Sequence, residues 1–359
     1  MFLEELKLKN FRNYKEEDIK FINGINLYVG NNAQGKTNII ESIYLCAFGK
    51  SYRTSKDLEI INFGNQACNI NLKYNKNGIK NKIELNLNNL NKKEIKKNDV
   101  KVKKISDHID EILIVIFSPD SLDIVKGAPG KRRAFIDMIC CQLSKSYLIN
   151  HNEYMKCLKI KNSLLKQENI DKEYVYVLHE KMSKYIYKIV DFRKKIIKKI
   201  LDKSKLIHQS LTNNKEDIAI EYISDFLNFN EEQIKKYLDE HLYIDILRKS
   251  SIKGIQRDDI AIKINDMEVS KYGSQGQNRT ALLTLKLANF EVLREEKGEN
   301  PVLLLDDIMS ELDSNRINYL LKYIENYQSI ITTTDESFVK DVNNIQISKV
   351  SNGTLEKMC

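Results

Sequence analysis

The chain has 359 residues, enough for two or three domains and a sizeable core. Apolar residues make up 42% and charged residues 30%, a globular balance with a surplus of charge. The net charge of +8 favours a polyanionic partner, and no run of about 18 apolar residues exists to span a membrane.

The N-terminus, MFLEELKLKNFRNY, carries charges every few residues and lacks the apolar centre of a secretory signal. Six cysteines, at 46, 68, 140, 141, 157 and 359, show no C-x-x-C spacing, and no histidine is placed to complete a zinc site. Reduced thiols in a cytoplasmic protein are the expectation.

Residues 1–30 are expected to form two strands. Leu3, Leu6 and Leu8 lead into Asn10-Phe11-Arg12-Asn13-Tyr14, and Gly24 turns into an alternating strand, Ile25–Val29. Gly30–Thr37 then reads GNNAQGKT and fits G-x-x-x-x-G-K-[ST], with apolar residues at helical spacing over Asn38–Phe48. Strand, glycine-bounded turn and helix start are the context of a phosphate loop. Gly30 and Gly35 let the chain wrap a phosphate closely. The backbone of Asn31, Asn32, Ala33 and Gln34, with the helix start at Asn38, faces the negative charge. Lys36 is expected to reach the β- and γ-phosphates of ATP, and Thr37 to ligate Mg²⁺.

Residues 51–104 read as a β-rich lobe. Ile70, Leu72 and Tyr74 alternate, as do Ile83, Leu85 and Leu87, with turns at Asn77-Gly78 and residues 88–91. Its second half is crowded by Lys92, Lys93, Lys96, Lys97, Lys101, Lys103 and Lys104, either a solvated hairpin or a face for DNA. Ile112–Phe117 is a continuous apolar run that suits a strand buried on both faces, ended by Ser118-Pro119-Asp120.

All thirteen glycines and three prolines lie outside residues 131–253, so that stretch is predicted to be a helical domain. Ile186, Ile189, Phe192, Ile196, Ile200 and Ile207 keep one face apolar. The stretch holds 25 Lys and Arg against 17 Asp and Glu, while the rest of the chain is neutral. Lys181–Lys205 alone holds ten basic and two acidic residues. Lys181, Lys184, Lys188, Lys194, Lys195, Lys198 and Lys199 are therefore the candidate contacts to DNA. A solvated face or an anionic membrane surface is the alternative.

Alternation returns at Ile260, Ile262 and Ile264. Ser274-Gln275-Gly276-Gln277 precedes a helical stretch, Thr280–Arg294. Val302–Leu305 reads as a buried strand carrying Asp306 and Asp307 at its end. Asp306 is the expected Mg²⁺ partner of the phosphate loop, and Asp307 is placed to orient or deprotonate water. Further strands are expected at Ile330–Thr334 and Ile345–Val350.

SQGQ at 274–277 resembles the signature of ABC ATPases, and Ser310-Glu311-Leu312-Asp313 resembles their D-loop. Phosphate loop, long helical insertion, signature, aspartate strand and D-loop follow in that order. The chain is thus similar to SMC-type ABC ATPase heads, and within them to the RecF family. Residues carrying the likeness are NFRNY at 10–14, GNNAQGKTN at 30–38, FSPD at 117–120, GAPGKRRAFID at 127–137, RDD at 257–259, YGSQGQ at 272–277 and LLLDDIMSELD at 303–313. Two departures stand out. Gly254-Ile255-Gln256 replaces the family's Gly-Pro-His, and the acid after Asp306 is Asp307 rather than Glu; the usual Q-loop glutamine, which should fall in the stretch after Phe117, has no assigned position. An aspartate pair at 306–307, where transporter and SMC heads have Asp-Glu, is the RecF-like form.

The resemblance implies an α/β P-loop ATPase head with a β-rich lobe and an inserted, mostly helical arm. Its parts are expected at 1–130, 131–247 and 248–359. It implies that Arg12 lies near the nucleotide phosphates. It also implies that Ser274, Gly276 and Gln277 complete the partner protomer's site in an ATP-dependent homodimer, and that Thr333-Thr334 stand in the switch-histidine position. The implied function is binding of single-stranded and gapped double-stranded DNA, with slow hydrolysis timing dimerisation and release. RecR and RecO would be partners in loading RecA, feeding the SOS response. An SMC-like ATPase of another pathway, such as a phage-defence regulator, is the alternative. A nuclease-linked ATPase would need a domain for which no room is expected after Asp306. A transporter subunit would lack the long insertion, and a non-hydrolysing scaffold would not need Lys36, Thr37, Asp306 and Asp307 together.

Overall fold

The computed structural model describes residues 1–90, 92–339 and 343–357. They fall into two compact units. The first comprises 1–121 with 289–359, and the second 122–288.

The first unit is built on two six-stranded sheets. One contains β1 (Phe2–Phe11), β2 (Tyr14–Lys20), β4 (Ala67–Lys76), β5 (Ile79–Asn88), β6 (Lys93–Lys97) and β7 (Val100–Lys101), in the antiparallel order β2-β1-β4-β5-β6-β7. The other contains β3 (Ile25–Val29), β8 (Ile114–Phe117), β12 (Val302–Asp306), β13 (Ser329–Thr333), β14 (Ile345–Ser351) and β15 (Thr354–Lys357), in the order β15-β14-β3-β13-β12-β8. All its pairings are parallel except β14–β15. β8, β12 and β13 are buried along their whole length, as apolar runs on a doubly covered sheet must be.

Helix α1 (Lys36–Phe48) touches strands of both sheets, β4 and β5 on one side and β12 and β13 on the other. Eleven of its thirteen residues are buried, so its sequence is apolar nearly all round rather than striped. Helix α10 (Ser314–Ile324) connects β12 to β13, with Asp313 capping its N-terminus.

The second unit holds α2 (Asp123–Lys126), α3 (Pro129–Leu143), α4 (Lys145–Leu164), α5 (Lys172–Thr212), α6 (Glu231–Glu240), α7 (Leu242–Arg248) and α8 (Val269–Tyr272). A three-stranded antiparallel sheet, β11-β10-β9, accompanies them: β9 (Ile218–Ile223), β10 (Asp259–Ile264) and β11 (Met267–Glu268). Helix α9 (Gln275–Lys297) begins in this unit. With 41 residues, α5 is about 60 Å long at 1.5 Å per residue. Its isoleucine stripe is buried, as the periodicity predicts.

The structure corrects the sequence reading in four places. Residues 1–30 form three strands, because YKEEDIK at 14–20 is a charged edge strand whose polar residues face water. The breaker-free stretch is not wholly helical. Ile218–Ile223 is a strand, recruited by six registered pairings with β10 that no local propensity reveals. The helix after SQGQ starts at Gln275, inside the motif, rather than at Thr280. A hairpin partner, β15, follows the tail strand. The turn expected at 88–91 lies partly outside the described residues, as does Cys359. The other five cysteines form no disulfide.

Candidate nucleotide site

β3 delivers the chain to Gly30 at the carboxyl end of the parallel sheet, where α/β sheets place their ligands. Gly30 has no room for a side chain, since a Cβ there would meet the Val350 carbonyl oxygen at 2.4 Å. Gly35 adopts φ 113° and faces the Asn13 side chain, so both backbone and space demand glycine. Neighbours clamp the loop. Asn13 Nδ2 donates to the Gln34 carbonyl at 2.8 Å, the Tyr14 hydroxyl to the Gly35 carbonyl at 3.1 Å, and the Gly353 amide to the Gln34 carbonyl at 3.1 Å.

Lys36 Nζ folds over the loop, donating to the carbonyls of Gly30 at 2.6 Å and Asn31 at 2.8 Å. Burial lowers its pKa, against the opposing pull of Asp307 and Asp306. A phosphate is the partner that would replace those carbonyls.

Two strands away, β12 ends in Asp306. Thr37 Oγ1 donates to Asp306 Oδ1 at 2.8 Å, and Thr332 Oγ1, on the intervening β13, donates to the same oxygen at 2.9 Å. The Tyr52 hydroxyl donates to Oδ2 at 2.9 Å. Asp307 follows in the left-handed region, at φ 51°, its amide held by Thr332. Its Oδ1 is buried with no hydrogen-bond partner, and burial raises its pKa, with the Asp306 charge adding and Lys36 opposing.

A cleft of 910 Å³ is lined by Arg12, Asn13, the loop from Asn32 to Lys36, Thr37, Asn38, Arg53, Leu58, Glu59, Ile61, Asn62, Phe63 and Asp307. Its walls combine phosphate-loop residues, two arginines and the exposed apolar side chains of Leu58 and Phe63. Arg12 also sits at positive φ, 52°, and gives its guanidinium to Glu41 and the Glu59 carbonyl.

The donor set suits Mg²⁺. A threonine hydroxyl and a carboxylate lie together, and no cluster of three His, Cys, Asp or Glu exists among the described residues to cage a metal. A cation held by these two groups would take its remaining ligands from phosphate oxygens and water, as Mg²⁺ does at nucleotide sites. The unpartnered Asp307 Oδ1 adds a free acceptor beside it.

The remaining expected site residues are placed as follows. Thr333 is buried and bonds within the Asp335 turn, and Thr334 is exposed. In the second unit, Ser274 caps α9: its hydroxyl accepts from the Gln277 amide at 3.1 Å, and its own amide donates to Gln277 Oε1 at 2.9 Å. Gly276 lies in that first turn, so the signature is itself a helix N-terminus. Lys181, Lys184, Lys188, Lys194, Lys195, Lys198 and Lys199 are exposed along α5, with Lys184 paired to Glu180 and Lys195 to Asp191. Arg193, counted among the ten basic residues of that window, turns inward instead. It is 1% exposed and binds Asp137 and Asp258, each at 2.7 Å. Gln256, in the family's histidine position, pairs with the Tyr154 hydroxyl and the Lys253 carbonyl.

Sequence reasoning missed Tyr52, Arg53 and Glu41. Glu41 is fully buried on the loop's own helix and collects Arg12, Ser51 and Arg53. The one acidic residue in a mostly apolar helix was the available signal.

Residues 2–356 match the family model of the RecF/RecN/SMC N-terminal domain. The chain is 40% identical to the DNA replication and repair protein RecF of Clostridium novyi over 361 residues, covering 99% of this chain and all of that protein. This chain belongs to the RecF family. The RecF of Alkaliphilus oremlandii is also 40% identical, over 95% of this chain and 96% of its own. The solved structure of the recombination mediator protein RecF-ATP in the RecFOR pathway superposes with a TM-score of 0.92 at 35% identity, covering 100% and 98% of the two chains. An Smc head bound to the C-terminal winged-helix domain of ScpA aligns with a TM-score of 0.60 at 16% identity, which shows the shared head fold. RecF membership and the SMC-type head fold, expected from the motifs, therefore hold.

Proposed function

We propose that this chain is an ATP-dependent DNA-binding protein of recombinational repair and replication, acting in the cytoplasm. The observation that carries the reading is the meeting of Thr37 and Asp306 beside the Lys36 loop, in a chain matched end to end by RecF proteins. Loop amides and Lys36 bind the β- and γ-phosphates. Thr37 and Asp306 would hold Mg²⁺, which when bound would supply positive charge against the phosphates. Asp307 orients the attacking water and accepts its proton. One methylene shorter than glutamate, it holds that water from a shorter arm, and about 1 Å of misplacement can cost on the order of 100-fold in rate. Hydrolysis is therefore slow and serves as a timer.

The phosphate loop covers one side of the triphosphate. Ser274, Gly276 and Gln277 at the start of α9 supply donors for the other side, from the second copy of a two-fold homodimer. Residues 131–247 form the arm, and the α5 lysines contact single-stranded and gapped double-stranded DNA. By membership in the family, RecO and RecR are partners in helping RecA load, feeding the SOS response.

The test is ATPase rate and mass with and without a gapped duplex, in the parent and in Lys36→Met. A Lys36-dependent, DNA-stimulated rate and an ATP-dependent dimer are expected. A rate or mass indifferent to DNA and ATP sinks the reading.

A further inference from the structure

Asp306 receives a donor that the scheme above does not use. Its carboxylate is 3% exposed, and both oxygens are occupied from three different elements. Thr37 of α1 and Thr332 of β13 donate to Oδ1, and Tyr52, in the segment after α1, donates to Oδ2 at 2.9 Å. Nothing in the phosphate-loop pattern calls for an aromatic hydroxyl at that point.

The tyrosine is held firmly. Its ring packs edge-on against Tyr44 of α1, with centroids 5.1 Å apart. On either side of it, Ser51 Oγ donates to Glu41 at 2.5 Å and Arg53 donates to Glu41 at 3.2 Å and to Asn38 at 2.8 Å. The phenol hydroxyl is the donor of this pair, and the carboxylate oxygen accepts.

We propose that Tyr52 is a positioning residue for the divalent cation. By fixing Oδ2, it sets the rotation of the Asp306 carboxylate about its last bond, so that Oδ1 faces the Thr37 hydroxyl where the cation binds. A carboxylate free to turn presents its oxygens correctly only part of the time. Hydrogen bonds to metal-ligating groups commonly matter about 10- to 100-fold in metal affinity. The inference rests on the nucleotide-binding reading above.

The experiment is binding of a fluorescent ATP analogue to the full chain, in EDTA and across a Mg²⁺ titration, for the parent, Tyr52→Phe and Tyr52→His. Thermal melting verifies folding. Phe keeps the ring and loses only the donor. It is expected to raise the Mg²⁺ needed for half-maximal binding about 10-fold, with affinity in EDTA unchanged. His keeps a ring donor and is expected to recover most of that loss. A folded Phe variant with the parent's Mg²⁺ requirement overturns the proposal. So does an equal loss of affinity with and without Mg²⁺, which marks a merely structural role. If Phe does not fold, Tyr52→Leu, which also lacks the donor, carries the test: a requirement raised about 10-fold with affinity in EDTA unchanged supports the proposal, and one equal to the parent's overturns it. A parent that binds no nucleotide sinks the nucleotide-binding reading as well, whereas a parent that binds normally beside an unaffected Phe variant sinks only this inference.

Discussion

The Arg12 guanidinium grips Glu41 with two hydrogen bonds, Nε to Oε2 at 2.9 Å and Nη2 to Oε1 at 2.6 Å. Glu41 lies one turn after Thr37 on α1, so the carboxylate ties the β1–β2 turn to the phosphate-loop helix. The same carboxylate holds Ser51 and Arg53. Both arginines line the cleft, and Glu41 determines where they stand.

Glu41→Gln should therefore loosen two cations at once. The pairs are partly exposed on the arginine side, 18% for Arg12 and 41% for Arg53, so the full cost of a broken buried pair does not apply. A stability loss of about 1–3 kcal/mol is expected in urea unfolding. ATP affinity, measured by equilibrium binding, should fall with it. A variant that unfolds like the parent and binds ATP equally would show that the arginines are placed by something else.

The α5 lysines present a second test. Reversing Lys194, Lys195, Lys198 and Lys199 to glutamate should weaken DNA binding. The slope of log affinity against log salt should flatten by about 0.9 for each DNA phosphate that the protein no longer neutralises. ATP binding should not change. If affinity and slope are unaltered, this face is only solvated, and the lysines around 92–104 or the ATPase core bind the DNA instead.

Lys286 predicts a pH effect. It is buried in the second unit, its ammonium 5.4 Å from the Phe135 ring centroid, and burial pushes its pKa down to about 7 from 10.5. The unfolded chain keeps this proton up to 10.5, while the folded chain releases it near 7. Unfolding thus takes up a proton between those values, and stability rises with pH across that window. The gain between pH 7 and 10 should be on the order of 3 kcal/mol. Lys286→Met should flatten the profile and raise stability at pH 7. Urea melts at the two pH values measure both, and a Met variant with the parent's pH dependence would contradict the assignment.

Shared sites can be tested by mixing. Lys36→Met should not bind ATP, and Ser274→Arg should bind it without closing. Each alone should be inactive. A mixture forms dimers in which an intact Lys36 loop faces an intact Ser274, so part of the hydrolysis should return. Failure of the mixture to recover, with a parent that hydrolyses ATP as a monomer, would mean that the signature only caps α9.

The sequence by itself determined the phosphate loop, its flanking strand and helix, and the aspartate strand. Each of these is local: the glycines answer to φ and to close approach at Gly30 and Gly35, and the apolar runs answer to burial on both faces of a parallel sheet. The isoleucine stripe of α5 was legible for the same reason, since a helix shows its buried face as a period. Tertiary structure alone decided what depends on partners far along the chain. Ile218–Ile223 became a strand because β10 supplies its hydrogen bonds. Arg193 left the basic face because Asp137 and Asp258 wait on the inner side. Tyr52 reached Asp306 across 254 positions, and Glu41 gathered Arg12 from 29 positions away. A buried carboxylate needs donors wherever the fold brings them, and spacing along the chain carries no record of which residues those are.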